Sequence, residues 1–454
     1  MNSQNKENRW ILFLLFAGGV AIHLLYLVAL GLPESLERLQ WAHADTETYV
    51  IPAQSFLRSG VFAVQGAPDS FRTIGYPLFL SGALKLGKMT GLDWRMIVYV
   101  VQAIFFALAY PAIYYLGRRV FRVSRGLSLG CVGFTVLSGA FISYTSVIMS
   151  DAIFATSLIV GMACGFCALR NRSIWWGLVH VAVITYAATV RPILAFYPFA
   201  AVCMHWAYLK ENSDSADRFA RRLMVAMFLV ALIGVQVPAI RNWINYRVFT
   251  PSENGSAVLF DYLAKDVLEM KNQIPRYEQV KAQLLKMSDH RMLGERIAVR
   301  RKEALGVFRD YPLETAAFVL FNGIFNSLDM HWNNTFFYRL RVTWCRDYID
   351  GSVRWSPLPF AVAMLFVIVY GCVYSASIIL AFTLRKNLWV VCSVFLLLLP
   401  YIFCLTSCQG ARFRLWFEPL LVLAAAVTIQ KACRIWTFYR DNRFKNGTLI
   451  ALQI

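Results

Sequence analysis

Long apolar stretches separated by short polar links recur from Trp10 almost to the C-terminus. Each is near the ~20 residues that an α-helix needs to cross the ~30 Å hydrocarbon layer of a bilayer. The pattern predicts spans near 11–30, 96–117, 126–144, 151–169, 174–190, 192–209, 222–243, 357–382, 388–407 and 414–430. The apolar run 77–89 is too short for a crossing and reads as a helix buried at the interface or re-entering the fold. From Gln279 through Arg309, residues such as Val280, Leu284, Ile297, Ala304 and Phe308 return at helical spacing. This predicts one or two amphipathic helices, lying on the core or on lipid. The apolar stretch Ala316 to Leu328 either dips into the membrane or crosses it.

Composition supports an integral membrane protein: 58% of the 454 residues are hydrophobic and 16% charged, against about 25% charged in soluble domains. The formal charge of +19 is gathered in short links. Arg118, Arg119, Arg122 and Arg125 form one cluster, Arg170 and Arg172 another, and Arg385 and Lys386 a third; Lys431, Arg434, Arg440, Arg443 and Lys445 follow the last apolar run. Such alternation is the signature of cytoplasmic loops, whereas nucleic-acid binding calls for a basic face on a soluble domain and is set aside. Both termini are then expected in the cytoplasm. The chain divides into an N-terminal core over 1–243 with a first external loop at 31–94, an external region at 244–355, and C-terminal helices with a basic tail over 356–454. The first run is of membrane length and lacks a small-x-small site after it, so it is expected to stay as a span.

Polar groups at the edge of such a scaffold are the candidates for chemistry. Asp45 and Glu47 fall in the segment Trp41 to Tyr49, just beyond the first span, with His43 beside them. Asp45 can serve as a proton acceptor whose pKa is raised by nearby lipid, or it can cap a helix starting at Thr46. Asp151 at the head of a span is costly facing lipid, so it is expected to point inward, holding an arginine, orienting an acceptor or binding a divalent cation. Arg72, Arg191, Arg241, Arg412 and Arg414 lie on the expected outer side, where a guanidinium can fork onto a phosphate or snorkel to headgroups. Tyr49 and Tyr76 can stack on a sugar or anchor the interface, while His23 and His205 read as packing or lipid-edge residues.

Taken in order, Asp45-Thr-Glu-Thr-Tyr49 with Ala53, Arg72-Thr-Ile-Gly-Tyr-Pro-Leu-Phe79, Ser146 to Asp151, Arg191-Pro192, Pro238-Ala-Ile-Arg-Asn242 and Gly410-Ala-Arg-Phe-Arg414 resemble bacterial GT-C membrane glycosyltransferases. These include the lipid A aminoarabinose transferases and protein-mannosyltransferase-like families. The resemblance implies an all-α polytopic bundle of about 10–13 transmembrane helices with interfacial helices in its external loops. It also implies a multi-pass protein of the bacterial inner membrane with its active site facing the periplasm. Such an enzyme moves a sugar from a polyprenyl-phosphate donor to a lipid, glycan or protein acceptor, and the family's first-loop aspartate, the proposed base, maps onto Asp45. In that scheme Glu47 and Asp151 assist catalysis, the five arginines hold the donor, and His43, Tyr49 and Tyr76 contact sugar or acceptor. A monomer without nucleic acid or resident cofactor is expected, with a divalent cation at Asp151 as the alternative. An acidic doublet split by Thr46 and the lack of a long soluble C-terminal domain depart from the family pattern. An O-antigen ligase or polymerase and a secondary transporter are the competing classes; no convincing internal repeat supports the transporter.

Overall fold

In a computed structural model, residues 3–31, 45–137, 140–212, 217–287, 289–319 and 418–446 are described, with short pieces at 347–349, 352–354, 372 and 375. The candidates His43, Arg412 and Arg414, the span expected near 388–407, all of that near 357–382 but residues 372 and 375, and residues 320–328 of the stretch from Ala316 lie outside these residues.

The described chain is helical, its sheets being two-stranded hairpins. Among the described residues, six helical stretches are long and apolar enough to cross a membrane: Arg9–Ala29, Trp94–Val120, Asp151–Asn171, Pro192–Asn212, Arg218–Tyr246 and Glu418–Phe438. Arg125–Leu137 and Ile174–Val190 are shorter apolar helices. The protein is an all-α polytopic membrane protein.

Helix α1 (Ser3–Ala29) is followed by α2 (Glu47–Ser59), a hairpin pairing Ala63–Val64 with Ala67–Pro68, and α3 (Gly75–Thr90). Helix α4 (Trp94–Tyr115) begins where the Asp93 carboxylate accepts the Arg95 amide at 2.8 Å. Then come α5 (Arg125–Leu137), α6 (Ala140–Tyr144), α7 (Asp151–Asn171), α8 (Ile174–Val190) and, after a 3₁₀ turn at Pro192–Phe196, α9 (Tyr197–Asn212). The expected span 222–243 is instead two helices, α10 (Arg218–Gly234) and α11 (Val237–Tyr246), parted at Val235 and Gln236. Pro238 suits the first turn of α11, where its missing N–H goes unneeded.

Helix α7 is the centre of the bundle: nearly all of its residues are buried, whereas most of α1 is exposed or half-buried. It is apolar on every side, as a helix without a water-facing stripe must be, and it packs on α8 and α4. Polar bonds cross this core as well. His23 on α1 bonds the Thr145 hydroxyl at 2.6 Å and the Tyr110 hydroxyl at 2.9 Å. At one end of the bundle the basic links come together. Arg170 donates to the Arg119 carbonyl at 3.4 Å, Arg172 pairs with Asp217 at 3.0 Å, and Arg122 bonds Asn212.

The region beyond α11 forms a small helical unit with its own core. It comprises α12 (Asn254–Ala257), a π-turn to Ala264, α13 (Lys265–Met270), α14 (Ile274–Lys286) and α15 (Leu293–Asp310). Phe260, Val267, Leu284, Ala304 and Val307 pack together inside it, so the two amphipathic helices turn their stripes toward this core. The last helix, α16 (Glu418–Asn446), packs on α5 and carries the basic C-terminal residues through Lys445 in helical form.

Candidate active site

The end of the bundle opposite the basic links gathers residues 45–75, the 145–150 turn and the end of α8. Asp45 precedes α2, and its backbone carbonyl accepts the Thr48 amide at 3.1 Å and the Thr48 hydroxyl at 2.6 Å. The start of α2 is therefore braced by main-chain oxygen, and the Asp45 carboxylate reaches elsewhere: Oδ1 lies 2.9 Å from Arg72 Nη2. Arg72 Nε donates to Thr48 Oγ1 at 2.9 Å, and the guanidinium stands 4.5 Å from the centre of the Tyr49 ring. Two faces of the guanidinium are thus set by α2 itself, since Thr48 and Tyr49 both belong to its first turns.

The backbone of Arg72 is also fixed. The buried Asp69 carboxylate accepts the amides of Phe71 at 2.8 Å and Arg72 at 3.3 Å, and the Arg72 carbonyl accepts Arg241 Nη1 and Nη2 at 3.2 and 3.3 Å. Burial pushes the Asp69 carboxyl above its ordinary range, outweighing the two amides and the charges of Arg241 and Arg72. One residue on, the Thr73 hydroxyl donates to the Val190 carbonyl at 2.7 Å, tying the loop to the end of α8.

A second pair stands beside the first. Arg191 Nη2 is 2.6 Å from Asp151 Oδ1, with side chains 11% and 2% exposed. Pro192 explains the placement: a residue before proline is pushed out of the helical region, and Arg191 is extended at φ −140°, ψ 123°. That turn carries its side chain to the first residue of α7, where a carboxylate also suits the positive helix end.

Tyr49 and Ser150 join the pairs. Arg191 Nε donates to Ser150 Oγ at 3.1 Å, and Ser150 Oγ is 3.1 Å from Tyr49 OH, whose ring lies against Arg72. Tyr49 meets Tyr76 edge to face at 5.1 Å between centroids, and the Tyr76 hydroxyl donates to Gln102 Oε1 at 2.9 Å. Gln102 Nε2 in turn donates to the carbonyls of Thr145 and Val147, each at 3.0 Å, holding the turn that presents Ser150.

The structure therefore brings together Asp45, Arg72, Tyr49, Arg191 and Asp151, with Tyr76 supporting them and Arg241 holding the Arg72 backbone. Glu47 is exposed on the first turn of α2, away from these bonds. Among the described residues no group of three or more His, Cys, Asp or Glu could hold a metal ion. Thr48, Asp69, Gln102 and Ser150 were not singled out from sequence. An aspartate two residues before the amide that it accepts is a recognisable turn signal, so Asp69 was within reach; Gln102 and Ser150 carry no such local mark.

The small unit after α11 is latched to the same loop. Glu253 accepts from Arg296 Nε and Nη2, at 2.9 and 3.0 Å, and from Arg300 Nη1 at 2.5 Å. Its Oε2 also accepts the Ser70 hydroxyl at 3.1 Å, while its amide donates to the Ser70 carbonyl at 3.0 Å. Burial works to raise the Glu253 carboxyl, but Arg296 and Arg300 together hold it below the ordinary 4.5.

No family model and no curated protein matches the chain.

Proposed function

We propose that the protein is a GT-C-type glycosyltransferase that moves a sugar from a polyprenyl-phosphate donor to an acceptor at the outer face of a bacterial inner membrane. The observation that carries this reading is the pairing of Asp45 with Arg72, beside Arg191 and Asp151, at one edge of an apolar bundle. A lipid-linked phosphate reaches an enzyme at such an edge, where its chain stays in hydrocarbon and its charge meets fixed guanidinium groups.

In this scheme an acceptor hydroxyl attacks C1 of the donor sugar. The acceptor O–H bond breaks as the new O–C1 bond forms, and the proton passes to the Asp45 carboxylate. The C1–O bond to phosphate breaks, and its electron pair leaves on the phosphate oxygen. Arg72 takes up the charge that grows on that oxygen, so it stabilises the transition state more than the intact donor. Arg191, neutralised by Asp151 and bonded to Ser150, positions Tyr49 at the site.

The test is release of polyprenyl phosphate by purified protein in lipid nanodiscs. Polyprenyl-phosphate-linked pentoses and hexoses are supplied with acceptor fractions of envelope lipid, glycan intermediate and protein. Acceptor-dependent release from one donor supports the reading; inertness toward the whole panel, with folded protein that binds none of the donors, overturns it.

A further inference from the structure

We infer that the Asp45–Arg72 ion pair is the resting form of the donor-phosphate site, and that an incoming phosphate takes the place of Asp45 on Arg72, releasing the carboxylate to act as base. This deepens the glycosyltransferase reading and rests on it.

A carboxylate bonded to a guanidinium is a poor place for an acceptor proton, because the cation favours its charged form. In the structure Asp45 is held in that way at 2.9 Å. If Asp45 is the base, the pair has to part before transfer. The remaining contacts of Arg72 indicate which partner moves. Its Nε is bonded to Thr48, its face lies on Tyr49, and its backbone is held at both N–H and C=O by Asp69 and Arg241. Arg72 is therefore a fixed receptor. Asp45 is likewise tied to Thr48 through its backbone carbonyl, but its side chain is 24% exposed against 10% for Arg72, so the carboxylate can turn toward water while the guanidinium stays.

The neighbouring pair shows what a non-exchanging partner looks like. Asp151 is 2% exposed and its arginine is also bound to Ser150. Replacing that carboxylate would mean opening the centre of the bundle. At Arg72 an anion from the membrane edge meets a carboxylate that is already partly solvated. A phosphate offers oxygens with the same spacing for a guanidinium fork and carries at least equal charge, so the exchange is close to balanced for Arg72. Base release is thereby coupled to donor arrival, and water is not activated in the absence of donor. Thr48 and Tyr49 become positioning residues that keep the guanidinium in place while its anion changes.

The experiment is a double-mutant cycle on binding of sugar-free polyprenyl phosphate to full-length protein in nanodiscs, with melting used to confirm folding. Asp45→Asn removes the competing anion and should bind the probe more tightly, by about three- to tenfold, the scale of a partly exposed ion pair. Arg72→Gln should weaken binding by about tenfold or more. In the Arg72→Gln background the gain from Asp45→Asn should vanish, since the two residues act through one contact. Asp45→Ala and Arg72→Lys stand in where a first variant does not fold. Unchanged or weaker binding in Asp45→Asn overturns the exchange, as does an equal gain with and without Arg72, which marks general electrostatics. Either result leaves the glycosyltransferase reading in place if wild type binds the probe; failure of wild type to bind it overturns both.

Discussion

Arg191 closes the gap between two helices by placing its Nη2 2.6 Å from Asp151 Oδ1, so the end of α8 is bonded to the start of α7. The pair is almost wholly withdrawn from water, and removing one side would leave the other buried without its counter-charge. Asp151→Ala should therefore destabilise the protein by about 3–5 kcal/mol. Arg172, paired with Asp217 but 65% exposed, is the comparison: Arg172→Ala should cost about 1 kcal/mol or less. Melting of both variants in the same detergent checks the contrast, and equal losses would mean that Asp151 is not the buried anchor described above.

Close backbone contact fixes the loop beside this pair. A Cβ on Gly75 would stand 2.6 Å from the Thr189 backbone carbon and 2.7 Å from its carbonyl oxygen, while one on Gly82 would meet nothing within 4 Å. Gly75→Ala should then cost about 1–3 kcal/mol, as overpacking does. Gly82→Ala, on the same helix, should be neutral or stabilising by up to about 1 kcal/mol. The same melting assay reads both, and it is the difference between them that tests the approach of α3 to α8.

Acid should loosen the small helical unit after α11. Glu253 has a folded-state pKa below its ordinary value, so its contribution is fully present above 4.5 and is lost as pH falls through the lowered value. Asp261, raised by burial against the pull of Arg300, has the opposite sign and remains in the variant used as control. Limited proteolysis of α14 and α15 between about pH 7 and about pH 3 should show an acid-sensitive opening in wild type. Asp310 and Glu314, lowered by Arg276 and Lys271, titrate with the same sign as Glu253 and remain, so Glu253→Gln should already be loosened at neutral pH and show a smaller acid step. A variant with the same acid transition as wild type would remove Glu253 from the latch.

Much of the membrane architecture was legible because it rests on local pattern. The runs beginning near Ile11, Met96 and Asp151 reappear as long apolar helices, and the links around Arg122 and Arg172 meet at one end. The break at Val235 and Gln236 was not read, since the apolar run continues across it. In the site, the outward turn of Arg191 follows from the Pro192 beside it, a local rule. The links through Ser150 and Gln102 do not: Ser150 meets Tyr49 across 101 positions, and no periodicity encodes that meeting. The Glu253 latch is hidden for the same reason, as its arginines come from a helix more than 40 residues on. Helix α2 starts at Glu47, Thr46 gives no side-chain cap, and the Asp45 carboxylate bonds Arg72 while its carbonyl braces the first turn.

The most direct measurement is turnover of Asp45→Asn with saturating polyprenyl-phosphate sugar and acceptor, using whichever donor the wild-type protein accepts. The substitution keeps the shape of the side chain and removes its capacity to accept a proton. The account predicts folded protein that still binds sugar-free polyprenyl phosphate, with transfer reduced by about two orders of magnitude or more. Transfer at the wild-type rate in that variant would contradict the central claim and leave Asp45 as a partner of Arg72 alone.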